Sequence, residues 1–269
     1  GGVISDGESA KRMLKELVNK VDKRSFFGRG YNYLLSGIPY DTTAVEKRAL
    51  RDALDQFSAR NTHLVFEPLA AALGMGLDIQ EPEGKLVVDI GGGITEVVVI
   101  SLSGIAAFQS LRTAGDALDE EIQDYFRRQY NMSVGLKTAE NLKKKIGCVY
   151  SPVATNETMM VKGKDLMEGI PVSRVISQQE LTTVLERPFK QIEQCIHLSL
   201  EVCPPELASD IYQSGIFVTG GNAQLKGVKE RFSKLFKLPV NIDPQPLLSV
   251  SKGIGKILSS PHKYRSVLL

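Results

Sequence analysis

The densest concentration of potential chemistry is KLVVDIGGGITEVVVIS at residues 85–101, where Asp89 is followed closely by Gly91, Gly92 and Gly93. Three glycines in a tight turn can adopt a left-handed backbone and leave their amides unobstructed. The turn can then wrap N–H groups around phosphate oxygens while Asp89 holds a hydrated metal ion beside them. The alternative is a purely structural hairpin turn. Glu67 opens the stretch EPLAAALG, where a carboxylate either complements a helix dipole or, facing a phosphate, acts as a base. Glu140 and Lys143 are three residues apart and share a helix face, so they could bond a ribose and stack over an adenine, or form a solvated surface pair. A second strand-to-glycine turn follows at Gly220, Gly221 and Asn222. Phe26 and Phe27, in RSFFGRG beside Lys23, Arg24 and Arg29, could dip into a bilayer interface or close over a core. Cys148, Cys195 and Cys203 are odd in number and lack metal-ligand spacing, as do His63, His197 and His262. Free, buried thiols in a reducing cytoplasm are expected.

The elements that must hold these residues are an α/β series. Helical spacing of Met13, Leu14, Leu17, Val18 and Val21 predicts a helix over residues 10–23, and a strand follows at 31–38. Thr43 and Glu46 form a capping box for a helix with Val45, Ala49, Leu50, Ala53, Leu54 and Phe57 on one face. A strand at 63–66 runs into the Ala-rich helix after Glu67, whose small residues suit close helix packing at a junction or hinge. Around the Asp89 turn, residues 86–90 read as a buried strand, 95–100 as an alternating one and 105–112 as a third. Helices are expected at 116–130 and 138–147, then two strands of a small lobe at about 150–177. A long helix capped by Ser177 and Glu180 passes Pro188, and another starts at Pro204 and Pro205. A strand at 215–219 leads through the second glycine turn to a helix carrying Leu225, Val228, Phe232, Leu235 and Phe236. A strand at 239–242 and a helix at 247–258 complete the chain.

The 269 residues, 42% hydrophobic and 24% charged, suffice for one large domain or two smaller ones. The 33 basic residues are scattered and barely outnumber the 31 acidic ones, so no nucleic-acid partner is expected. No stretch approaches the roughly 20 apolar residues of a membrane span, so membrane contact is expected to be peripheral.

Six ordered segments carry a resemblance. EPLAAALG, VVDIGGGITEVVVISL, GDALDEEI, TAENLKKKIG, CPPELASDI and FVTGGNAQL together resemble the MreB family of bacterial actins, within the actin and heat-shock-chaperone ATPase superfamily. The resemblance spans nearly the whole chain. It implies an α/β actin-like ATPase fold with two lobes around a nucleotide cleft. Residues 1–74 would be the remainder of the N-terminal lobe, 75–250 the C-terminal lobe with a small insert at about 150–177, and 250–269 a junction helix returning to the first lobe.

By the same resemblance, Mg2+ and ATP are the cofactors. Asp89 holds the metal through water, and Gly91, Gly92, Gly93, Ile94 and Thr95 form a phosphate loop. Glu140, Asn141, Leu142 and Lys143 contact the nucleoside, and Gly220, Gly221, Asn222, Ala223 and Gln224 form the adenosine loop. Glu67 would position the attacking water. The implied protein is a rod-shape-determining actin that stacks head to tail into paired filaments at the inner, cytoplasmic face of the cell membrane. Its partners would be the cell-wall elongation machinery and its membrane adaptors, with Phe26 and Phe27 where relatives carry a membrane-facing loop. Three departures stand out: the family's preceding Asp-Leu-Gly-Thr hairpin has no counterpart here, Ile94 replaces a threonine hydroxyl, and Asn222 replaces a glycine, a change that left-handed tolerance should make mild. The first two favour the alternative of a fragment, or of a filament or scaffold protein that binds nucleotide poorly and hydrolyses none.

Overall fold

The computed structural model describes residues 7–21 and 31–269, so Phe26 and Phe27, expected in a membrane-facing loop, lie outside the described residues. The chain divides into two units, one of residues 79–247 and one joining residues up to 78 with residues 248–269.

The second of these begins with helix α1 (Gly7–Val21) and strand β1 (Tyr33–Ile38). Helix α2 (Ala44–Leu54) starts at a complete capping box, in which Thr43 Oγ1 accepts from the Glu46 amide and the Glu46 carboxylate accepts from the Thr43 amide. Ala53 and Leu54 are buried, but Val45 is 79% exposed, which corrects its expected place on the inward face. A four-residue spacing drifts by about 40° per step around a helix, so two steps back from Ala53 the side chain has rotated outward. Strand β2 (Asn61–Phe66) pairs in parallel with β1, from Tyr33 opposite Asn61 to Ile38 opposite Phe66. It runs directly into α3 (Glu67–Gly74), with Pro68 in the first turn and Pro68 to Leu73 buried throughout.

In the larger unit, β3 (Lys85–Ile90), β4 (Thr95–Ser101) and β5 (Gly104–Leu111) form an antiparallel meander leading to α4 (Gly115–Tyr130). Next come β6 (Met132–Ser133), α5 (Leu136–Ile146), β7 (Thr158–Asp165) and β8 (Pro171–Ser177). The small three-stranded sheet takes β6 as well as the expected hairpin β7–β8. Helix α6 (Gln178–Glu201) is capped by the Ser177 side chain, which accepts from the Glu180 amide. The Glu180 carboxylate instead accepts from the Tyr125 and Tyr130 hydroxyls. After α7 (Pro205–Ser214), strand β9 (Ile216–Thr219) inserts in parallel beside β3. Helix α8 (Val228–Phe236) and strand β10 (Val240–Ile242) complete a five-stranded sheet of order β10-β9-β3-β4-β5.

Two expectations need correction here. Strand β4 does not alternate: every residue from Thr95 to Ile100 is buried. It lies between β3 and β5, with α6 packed on β4 and β5 and α7 on β3, so it has no solvent face to make polar. Leu225 precedes α8, and Leu235 is 43% exposed, so neither extends the helix's buried face.

The chain then returns to the first-described unit as α9 (Ser249–Ser259), which packs along α3. A Cβ added at Gly253 would stand 1.7 Å from the Ala70 carbonyl oxygen, and one at Gly74 would stand 1.8 Å from that of Ser249. The absence of side chains brings the two backbones together, and Lys256 Nζ donates to the Leu73 carbonyl at 2.7 Å. Replacing Gly253 with alanine should gain up to about 1 kcal/mol of helix propensity. We expect a net loss of about 2 kcal/mol or more, because the added methyl must separate the helices. Chemical denaturation of Gly253→Ala would measure this; an unchanged or raised midpoint would contradict the close-packing account.

Candidate functional site

Strands β3 and β9 lie side by side in parallel, with Asp89 opposite Thr219, so their two glycine turns emerge at the same sheet edge. Asp89 is half-buried near the end of β3, and burial pushes its carboxyl up to about 6. The left-handed backbone expected in the first turn is not used at Gly91 or Gly92. That demand falls on Gly220, at φ +86°, where an added Cβ would stand 2.4 Å from Asp89 Oδ1 and from the Ile90 carbonyl oxygen. Only glycine satisfies both conditions.

The first turn is fixed by its neighbours. Gly91 N–H donates to the Ile94 carbonyl at 3.1 Å, closing the hairpin. The Gly91 and Gly92 carbonyls accept from the Gly115 and Asp116 amides at 3.1 and 2.7 Å, so the start of α4 satisfies two of its own unpaired donors on the turn. Asn222 Nδ2 also donates to the Gly91 carbonyl, at 2.6 Å. Asn222 is therefore a cross-link between the two turns. It is not the left-handed substitute for glycine that was expected, since its φ is not positive.

A cavity of about 480 Å³ opens beside this arrangement. Of the expected nucleotide-binding residues, Gly91, Gly92, Glu140, Lys143, Gly221, Asn222 and Gln224 line it. Glu140 is exposed and paired with Lys144, which holds its carboxyl below the usual range. Lys143 is almost wholly buried, with its ammonium donating to the Gly115 carbonyl at 2.8 Å and standing 2.9 Å from Asp119 Oδ1. Oδ1 still lacks a well-angled hydrogen bond, so the Lys143–Asp119 contact is chiefly an ion pair. Burial raises the Asp119 carboxyl against the pull of Lys143. The ammonium expected over a base thus braces the cavity floor.

Other expected residues serve the framework. Thr95 is fully buried, and its hydroxyl donates to the Thr113 carbonyl at 2.7 Å. Leu142 and Ala223 belong to the hydrophobic core, so neither offers a side chain to the cavity. Asp89, Gly93, Ile94, Asn141 and Gly220 are not among the described lining residues. Glu67 belongs to the other unit, where it lines a pocket of about 220 Å³ with Gly37, Pro39 and Thr42. Sequence reasoning missed Gly115, Asp116, Asp119, Lys144, Leu225 and Leu247 as cavity residues. The acids Asp116 and Asp119, three apart at the start of a helix behind a glycine turn, were the available signal.

The model of the MreB/Mbl protein family matches residues 1–266. The chain belongs to the MreB/Mbl family. It is 40% identical to the cell shape-determining protein MreB of Escherichia coli K12, over 96% of this chain and 74% of that protein. It is 35% identical to the cell shape-determining protein Mbl of Bacillus subtilis, over 97% and 78% respectively. Among solved structures it resembles MreB5 of Spiroplasma citri bound to ADP, with a TM-score of 0.91 and 34% identity over 97% of this chain and 78% of that one. The chain therefore has the actin-like ATPase fold of this family. A double helical filament of MamK shares the fold at a TM-score of 0.79 and 20% identity, covering 96% of this chain and 79% of that one.

In this MreB/Mbl chain the desolvated Asp89 sets a pH dependence. Its folded pKa of about 6 lies above the ordinary 3.8, so the folded state holds the proton more tightly. The resulting stabilisation is fully present below pH ~4 and is lost as pH rises through ~6. In chelator and without nucleotide, Asp89→Asn should raise stability at pH 8 by about 1–3 kcal/mol and give progressively less below pH 6. Urea titrations across that range would check this; a gain independent of pH would contradict it.

Proposed function

We propose that this chain binds ATP and polymerises as an actin-like cytoskeletal protein that determines cell shape, working at the inner face of the cell membrane with the wall-elongation machinery. The observation that carries the reading is the glycine-walled cavity at the sheet edge where β3 and β9 turn, with a carboxylate, Asp89, behind it. MreB5 of Spiroplasma citri, bound to ADP in one structure and AMPPNP in another, supports it. The filament reading draws on the MreB/Mbl family, and MamK offers a precedent on the same fold.

In this reading the phosphates meet the backbone of the first turn and the nucleoside lies along Glu140, Gly221 and Gln224. No group of three or more metal-ligating side chains occurs among the described residues. Mg2+ keeps several waters and takes one or two carboxylates together with substrate phosphates. Asp89 would hold it, and the ion would neutralise phosphate charge. Among the described helices none is long and apolar enough to cross a membrane.

Hydrolysis would use Glu67 to orient a water whose oxygen bonds to the γ-phosphorus as the bond to the β-phosphate bridging oxygen breaks, with the water's proton passing to the carboxylate or solvent. Ile94 favours a second reading, a nucleotide-bound filament that hydrolyses little, because its side chain offers no hydrogen bond to that water.

A substitution at Gly92 separates binding from folding. A Cβ there meets nothing within 4 Å, so Gly92→Asp should fold normally while placing a carboxylate beside the phosphates. Calorimetry should show Mg-ATP binding by the parent and a loss of about tenfold or more in the variant, with little change in melting temperature. A parent that binds no Mg-ATP would overturn the reading. Phosphate release should also rise about tenfold in Ile94→Thr; no release from either protein would leave the hydrolysis-poor filament as the function.

A further inference from the structure

We infer that Asn222 is a positioning residue that aims the glycine-turn amides at the phosphates of a nucleoside di- or triphosphate. This rests on the nucleotide-binding reading above and assigns the side chain a role within it.

Peptide geometry sets the direction of these amides. In a trans peptide the carbonyl and the next residue's N–H point in opposite directions within one plane, and no described peptide bond is cis. The Gly91 carbonyl is held from one side by Asn222 Nδ2 at 2.6 Å and Gly115 N–H at 3.1 Å, so the Gly92 N–H must point the other way. The Gly92 carbonyl is held by Asp116 N–H at 2.7 Å, which turns the Gly93 N–H in the same manner. The Gly91 amide is spent on the Ile94 carbonyl. The turn therefore presents two oriented amides, a short cradle of the kind that binds phosphate oxygens.

Of the three donors pinning these carbonyls, Asn222 supplies the one from a side chain, and it reaches across 131 residues of sequence. Its Nδ2 also stands 3.4 Å from the Ile90 carbonyl, so one amide group spans the peptides on both sides of Gly91. The Asn222 side chain is largely buried, and a Cβ added at Gly115 would come within 2.8 Å of Nδ2, so its position is tightly set. A glycine turn without such restraint samples many peptide orientations and binds an anion only after ordering them.

The test uses the full chain with Asn222→Ala and with Asn222→Asp, which keeps the shape but removes the donor. Dissociation constants for adenosine and for Mg-ADP are measured by calorimetry, alongside melting temperatures. In the parent, the diphosphate should bind more tightly than adenosine. In both variants the ratio of Mg-ADP affinity to adenosine affinity should shrink about tenfold. A merely structural role would lower the melting temperature, or weaken both ligands alike, and leave the ratio unchanged; that result overturns the inference. A parent that binds neither ligand would overturn the nucleotide reading itself. A second arm needs no variant: in NMR titrations of the parent with inorganic pyrophosphate, the Gly92 and Gly93 amide resonances should move well beyond that of Gly91. Unmoved Gly92 and Gly93 resonances at saturation would overturn the inference even if both variants fail to fold.

Discussion

The carbonyl of Gly91 is the point on which the candidate site depends. It accepts from the first amide of α4 and from the side chain of Asn222, so the first glycine turn, the second glycine turn and the start of a helix meet at one oxygen. The Gly115 peptide extends the linkage, because its own carbonyl accepts from the buried Lys143 on α5. Neutral hydrogen bonds of this kind contribute about 1 kcal/mol each to stability and charged ones more. Their larger effect is geometric, since each supplies one of the few restraints on a glycine backbone that has no side chain to hold it.

The sheet makes that convergence possible. Because β9 runs parallel to β3, two loops remote in sequence leave the same edge, and the buried strand β4 pairs with β3 on its other side. The carboxylates at the site are less comfortable. Asp89 is desolvated enough to raise its pKa, and Asp119 is raised despite its ion pair with Lys143. Buried carboxylates with raised pKa values cluster at functional sites, though structural ion-pair networks also produce them. Within the other unit, α3 and α9 approach through alanine and glycine until backbone touches backbone, and Lys256 fixes their register on the last turn of α3.

Much of this was legible in the amino-acid pattern. The strand, turn and strand around Asp89, the capping box at Thr43 and the Ala-rich helix after Glu67 rest on local rules, and the structure builds each of them. The six ordered segments pointed to the MreB/Mbl family, which the family model bears out. What could not be read was non-local. Nothing in the spacing of Asn222 or Lys143 shows that one side chain cross-links two loops or that the other is turned down to a helix start. The burial of Thr95, Leu142 and Ala223 follows from sheet order and helix packing, which periodicity does not specify. The outward turn of Val45 reflects helix drift that a four-residue count ignores.

The most direct test of the account is a crystal structure of this chain with Mg-ADP. The account predicts the diphosphate against the Gly92 and Gly93 amides, with adenosine along Glu140, Gly221 and Gln224 and the Asn222 bond to the Gly91 carbonyl intact. Nucleotide bound elsewhere, with this cavity empty at saturating concentration, would contradict it.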